Sequence, residues 1–294
     1  METIVTMTTT ETDLSFEATR REIATDQGVL RFHEAGEGPP LVMLHGSGPG
    51  VSGWRNFRGN LATFTRSHRV LILEMPGFGL SDPIADHPAV GAVDSVLRFM
   101  DSLGVERADL IGNSFGGFIG SMLAMEHPSR LRRLVTVGGV GRNIFSPTPA
   151  EGVKIITDFV ENPSRELLVR WLHSMVYDPA LVTDELIEER WKQANDPATL
   201  ACIRAMYGRG AGAGLYDAAD DGPPPLWAQL HKIKAPTLLT WGRDDRVTPL
   251  DGALLPVRTI PDVELHVFPN CGHWVMIEAA GAWESAVSAF LTRP

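Results

Sequence analysis

Cysteine is almost missing from this chain: two residues, Cys202 and Cys271, lie far apart among 294. That scarcity excludes a disulfide framework and a thiolate metal cluster, and it fits a reducing cytoplasm. No apolar stretch approaches the roughly 20 residues that a membrane span requires. Met1 to Arg20 is Thr-rich and acidic and has neither the basic start nor the apolar centre of a secretory leader, so residues 1–12 are expected to form a loose tail. Basic charge is also short, with 26 Lys and Arg against 36 Asp and Glu and a net charge of −10. Nucleic acid and anionic membrane surfaces are therefore excluded as partners, and any anionic ligand must be held by local cations. There is no internal repeat, and no G-x-G-x-x-G motif opens a strand-helix unit, so a dinucleotide cofactor is not expected.

What is present reads as an α/β protein. At 44% hydrophobic and 21% charged, the chain is long enough to bury about three-quarters of its unfolded surface in one large core. Short apolar runs at 41–44, 69–73, 108–111, 134–137, 237–240 and 263–268 alternate with helical segments, the pattern of a mostly parallel sheet flanked by crossover helices. Between Ala89 and Leu103 the residues Val90, Val93, Val96, Leu97, Met100 and Leu103 recur at helical spacing and predict one core face. After the run at 134–137 the composition changes to charged helical pieces carrying Trp171, Met175 and Trp191. Residues 143–208 are read as an inserted helical lid, dividing the core domain into 1–142 and 209–294. The Gly-rich run 208–214 and the Gly-Pro-Pro-Pro at 222–225 read as loop.

Gly112-Asn113-Ser114-Phe115-Gly116 stands between an apolar run and a helical stretch, the setting of a nucleophile elbow. The serine there adopts a strained backbone on a sharp turn, and small neighbours at 112 and 116 permit it. A serine hydroxyl needs a base, and the base needs an orienting carboxylate. Both follow in chain order at strand ends: an aspartate, Asp244 or Asp245, in the polar loop after 237–240, and His273 after 263–268. His45 is the rival histidine and is expected to shape its loop instead; of the adjacent Asp244 and Asp245, one serves as the partner of His273 and the other is a solvated loop charge. An early apolar strand opens into His45-Gly46-Ser47-Gly48-Pro49-Gly50, a loop able to present backbone N–H groups to an oxyanion, with Ser47 and Phe115 as the two donors.

The loop from His45 to Gly50 followed by Trp54, Asn56 and Phe57, the elbow, the stretch from Tyr177-Asp178 through Arg190, and Cys271-Gly272-His273-Trp274 together resemble the meta-cleavage product hydrolases. These are members of the α/β-hydrolase fold that split carbon–carbon bonds in 2-hydroxy-6-oxohexa-2,4-dienoates from aromatic or steroid catabolism. The resemblance runs from about Phe32 to the C-terminus. It implies serine-dependent hydrolysis of a ketonised dienoate with no metal or organic cofactor, and that the second of the two adjacent acids, Asp245, is the partner of His273. It implies further that Arg190 binds the substrate carboxylate, that Asn56 and Asn113 hydrogen-bond the same end, and that Gly46, Met175 and Trp274 line the site. Without the resemblance, Arg190 in Glu188-Glu189-Arg190 reads as one member of a surface ion pair. Met175 departs from the Phe of several members, which leaves acyl-side specificity open. The alternatives are a carboxylesterase or lactonase with the same triad, and a small-ligand-binding protein on a hydrolase scaffold. A dimer or higher homo-oligomer is the default expectation.

Overall fold

The computed structural model describes residues 13–209, 211 and 224–293. The expected N-terminal tail and most of the Gly-rich loop lie outside the described residues. Eight strands, β1 (Arg20–Thr25), β2 (Gly28–Ala35), β3 (Pro40–Leu44), β4 (Arg69–Leu73), β5 (Ala108–Asn113), β6 (Leu131–Val137), β7 (Thr237–Gly242) and β8 (Val263–Phe268), form one sheet in the order β1-β2-β4-β3-β5-β6-β7-β8. From β4 to β8 every pairing is parallel, while β1 pairs with β2 and β2 with β4 antiparallel. Strands β3 to β7 are buried along nearly their whole length, as parallel strands covered on both faces must be. Edge strand β8 instead alternates exposed with half-buried residues.

The hairpin of β1 and β2 was not foreseen from sequence. Its first strand is exposed or half-buried throughout, so it carries no apolar run. The helix predicted at 89–103 spans Pro88–Ser102. Its core face holds Ala89, Ala92, Val93, Val96, Phe99 and Met100, whereas Val90 is 65% exposed. Val90 therefore has to be removed from the predicted face: one position after Ala89 it lies about 100° around the helix from the buried row.

The order of strands reverses direction between β3 and β5: the chain goes from β3 outward to β4, then returns to the other side as β5. Such a switch opens a crevice at the carboxyl ends of the two strands. Ser47 and Ser114 follow those two ends. Over residues 151–207, between β6 and β7, stand four helices: Glu151–Glu161, Arg165–Met175, Asp184–Ala194 and Pro197–Tyr207. Ser164, Thr183 and Asp196 cap the last three through side-chain oxygens, satisfying N–H groups that the helices leave open. Two of these helices press onto the early loop. A Cβ at Gly48 would lie 2.1 Å from the Trp171 ring and one at Gly50 would lie 2.2 Å from the Arg190 carbonyl oxygen. Those glycines thus serve close approach of the inserted helices as well as loop geometry.

Candidate active site

Ser114 ends β5 and begins the helix Phe115–Glu126, with φ 52° and ψ −111°. A non-glycine residue in that region carries strain of about 1–3 kcal/mol. It is held there by its N–H, which donates to the Val137 carbonyl at 2.8 Å, and by crowding on both sides. A Cβ on Gly112 would meet the Gly116 carbonyl oxygen at 2.3 Å, and one on Gly116 the Leu44 carbonyl oxygen at 2.2 Å. Gly116→Ala is therefore expected to destabilise the fold by about 1–3 kcal/mol. Gly281→Ala, in a helix where nothing lies within 4 Å of the added carbon, is expected to cause no loss. Urea unfolding midpoints of the two variants check this pair.

The buried His273 presents Nδ1 to Asp245 Oδ2 at 2.7 Å. Asp245 is anchored by four contacts. Its Oδ1 accepts the N–H groups of Val247 and Thr248 at 2.8 and 2.9 Å, and its Oδ2 also accepts the Thr248 hydroxyl at 2.8 Å. Asp244 instead pairs with Arg243 at 3.2 Å. The histidine backbone is tied to the inserted helices, since its N–H donates to the Met175 carbonyl at 2.7 Å. Glu278, which sequence reasoning missed, reinforces the same joint. One of its oxygens accepts Gly272 N–H at 2.7 Å, and the other accepts the N–H groups of Tyr177 at 2.7 Å and Asp178 at 3.3 Å.

His45 has no part in this pair. Its Nε2 accepts the Met75 N–H at 3.0 Å and its Nδ1 faces the Gly46 carbonyl at 2.5 Å. Burial depresses its pKa to about 4, so it is a neutral brace for the loop.

A cavity lined by Ser114, His273, Asn56, Asn113, Arg190 and Trp274, and also by Gly46, Ser47, Met175 and Tyr207, brings the sequence-predicted side chains together. Phe115 lies outside that lining; its ring stacks with Phe118 at 6.3 Å in an adjoining chamber that also reaches Ser114. Asn113 accepts a hydrogen bond from Asn56 Nδ2 at 2.9 Å and donates to the Val137 carbonyl at 3.2 Å. Asn56 is positioned in turn by Glu74, whose buried carboxylate accepts the N–H groups of Gly53 at 2.8 Å and Trp54 at 3.0 Å, at the start of the helix Gly53–Phe57.

Arg190 contradicts the surface ion-pair reading. Glu188 pairs with Arg165 at 2.6 Å and Glu189 with Arg55 at 3.1 Å, while Arg190 is 2% exposed. Among the described residues its guanidinium meets no carboxylate. Nη1 reaches the Pro49 carbonyl at 3.4 Å, Nε has no partner, and the group stands 5.0 Å over the Trp274 ring. Burial, and then the nearby Arg55, lowers its pKa to about 9. A buried cation without a counter-ion is costly, and an anion entering the cavity would repay that cost.

Tyr207, also missed from sequence, contributes a hydroxyl 2.6 Å from Ser47 Oγ. Nothing in its own segment distinguishes it from a packing aromatic. Both thiols are buried and pushed up to about 12 by that burial, so neither is a nucleophile. Among the described residues no cluster suits a metal ion, and no helix is long and apolar enough to cross a membrane.

A strained serine at a strand-to-helix turn, a histidine paired with a carboxylate on later strand ends, and a helical insert over the carboxyl end of the sheet define an α/β-hydrolase. Residues 39–280 match the family model described as alpha/beta hydrolase fold. The 2-hydroxy-6-oxo-6-phenylhexa-2,4-dienoate hydrolase of Burkholderia cepacia is 37% identical over 89% of this chain and 91% of its own. A 2-hydroxy-6-oxononadienedioate/2-hydroxy-6-oxononatrienedioate hydrolase of Comamonas testosteroni is also 37% identical, with the same coverage. Among solved structures, the meta-cleavage product hydrolase of Pseudomonas fluorescens superposes with a TM-score of 0.80 at 28% identity, over 93% of this chain and 97% of that one. The chain belongs to the meta-cleavage product hydrolases, the serine-dependent carbon–carbon hydrolases of this fold.

Proposed function

We propose that this protein hydrolyses the C5–C6 bond of a 2-hydroxy-6-oxohexa-2,4-dienoate, releasing a carboxylic acid and a 2-hydroxypenta-2,4-dienoate. The observation that carries the substrate class is Arg190: a buried guanidinium with no carboxylate partner among the described residues, in the cavity that Ser114 and His273 also line. A planar donor fork suits a carboxylate. Asn56 and Asn113 stand beside it for the 2-oxygen. The helices within 143–208 act as the lid, because Trp171, Met175, Arg190 and Tyr207 reach the cavity from them.

In this reading the dienol first ketonises: the 2-hydroxyl proton is lost and C5 gains one. The resulting 2-oxo group conjugates with the C3–C4 double bond and becomes an electron sink. His273 Nε2 takes the Ser114 proton as Oγ adds to the C6 ketone, and the oxyanion rests on the N–H groups of Ser47 and Phe115. Asp245 holds the imidazole in the required tautomer and stabilises the imidazolium. Collapse breaks C5–C6, the electron pair passes into the dienolate, and a proton completes that product. Water, deprotonated by His273, then hydrolyses the acyl-serine.

The two relatives of equal identity act on different acyl groups, a phenyl ketone in one and a dioate in the other, so likeness alone does not choose the substituent. The adjoining chamber, lined among others by Phe118, Val140, Pro149, Trp227 and Trp241, favours an apolar one.

Parallel kinetics on a dienoate and a p-nitrophenyl ester test the proposal. Arg190→Gln is expected to lower kcat/KM for the dienoate by roughly two to four powers of ten, as loss of a buried charge-assisted contact does, and to leave ester hydrolysis nearly unchanged. Equal losses on both substrates would indicate a lid or folding defect. No loss on either would remove the carboxylate-bearing substrate from consideration.

A further inference from the structure

The geometry points to Tyr207 as a positioning residue for the oxyanion, acting through the hydroxyl of Ser47. The inference rests on the hydrolytic reading above and extends it to a residue of the inserted helices. Tyr207 is the last residue of the helix Pro197–Tyr207, and its hydroxyl lies 2.6 Å from Ser47 Oγ. Neither oxygen has a second hydrogen-bond partner among the described residues. Each hydroxyl carries one proton, and their mutual bond uses one of the two. The other has no acceptor within the described residues, yet both side chains line the cavity of Ser114 and His273. One O–H donor is thus left for whatever occupies that cavity.

The identity of the outer donor follows from acidity. A phenol is the stronger acid and an alkyl hydroxyl the better acceptor, so Tyr207 donates to Ser47 and the serine proton faces the cavity. Burial raises the Tyr207 pKa, with the Ser47 bond acting in the opposite direction, so the phenol keeps its proton and does not serve as a base. A hydroxyl that receives one hydrogen bond donates a stronger one.

The place of the pair selects the reacting ketone over the carboxylate. Gly46, next to Ser47, lies so near the nucleophile that an added Cβ would stand 3.5 Å from Ser114 Cβ. Tyr207, with Ser114, Val153 and Val247, borders both the inner cavity and the adjoining acyl-side chamber. The carbon attacked by Ser114 has to sit at that junction. The Ser47 hydroxyl there supplements the backbone N–H groups, and Tyr207 makes that donor depend on seating of the last inserted helix.

Tyr207→Phe, Ser47→Ala and the double variant, assayed on a dienoate and on p-nitrophenyl acetate, test this. Tyr207→Phe keeps the ring and is expected to melt like wild type. It should lower kcat about tenfold on both substrates with KM little changed, a smaller loss than deletion of a whole oxyanion donor, and leave the ketonisation phase intact. Ser47→Ala should cost at least as much, and the double variant no more than Ser47→Ala alone, because Tyr207 acts only through that hydroxyl. An unchanged kcat for Tyr207→Phe, a loss confined to KM, or a double variant whose loss is the product of the single losses would overturn the inference. Wild type inert on the dienoate, with the tenfold Tyr207 loss on the ester, would sink the dienoate proposal and support this one. A dienoate cleaved equally by wild type and Tyr207→Phe would do the reverse.

Discussion

Ser114→Ala is expected to abolish carbon–carbon cleavage while the dienoate still binds and still ketonises. Among the described residues the substituted hydroxyl makes no hydrogen bond that supports the fold: the elbow is held by the Ser114 N–H on Val137 and by contacts of Gly112 and Gly116. Alanine can take the strained backbone as serine does. Carboxylate binding is assigned to Arg190 and the asparagines, which the change leaves in place. Loss of a triad nucleophile costs several powers of ten in turnover. Single-turnover absorbance should therefore show the ketonised species forming and then persisting, where wild type consumes it. Turnover above about a hundredth of the wild-type rate would rule out nucleophilic catalysis by this serine.

The elements that the sequence declared most clearly are those whose residues all answer one demand. Strands β4 and β8 run over 69–73 and 263–268 as expected, and β7 extends the expected run by two residues to Gly242. In β4 burial on both faces leaves the uninterrupted apolar run 70–73, whereas β7 is buried throughout although Thr237 and Thr240 interrupt its apolar residues. Hairpin strand β1 faces solvent, so nothing in its composition set it apart from the tail. Val90 shows the limit of spacing arguments: it fits the i, i+3 series with Val93, but the tertiary contact lies along Ala89, Ala92, Val93 and Val96.

The site divides in the same way. The strained turn at Ser114 and the His273–Asp245 pair were legible as geometry because each calls for a residue type at a strand end, in a fixed chain order. The place of Arg190 in the cavity was anticipated only by family resemblance; its neighbours Glu188 and Glu189 suggested a surface pair until burial separated the three. Tyr207, Glu278 and Glu74 were not legible at all. Their roles come from distant partners, Ser47, the 177–178 backbone and the 53–54 backbone, and no local pattern records such pairings. Each of these hidden residues fixes a loop or helix end against the site. Glu278, together with the Met175 carbonyl that receives the His273 N–H, couples His273 to the inserted helices.

Asp245→Asn should cripple turnover by about four powers of ten, and Asp244→Asn should change it by no more than about twofold. The asymmetry follows from how Asp245 is held. Its Oδ1 is fixed by the N–H groups of Val247 and Thr248, which can be satisfied only by an oxygen. An asparagine at 245 must keep its carbonyl oxygen there and turn its amide nitrogen toward His273 Nδ1. A donor then meets Nδ1 where an acceptor stood at 2.7 Å, and the imidazole shifts its proton to Nε2. A protonated Nε2 cannot accept the serine proton, so the base is lost although packing is preserved. Asp244 is half-buried and faces Arg243, and among the described residues it makes no hydrogen bond to the imidazole. Steady-state kinetics of the two variants, with melting temperatures to verify that both fold, check the ranking; a larger loss for Asp244→Asn would show that the orienting carboxylate is Asp244 instead.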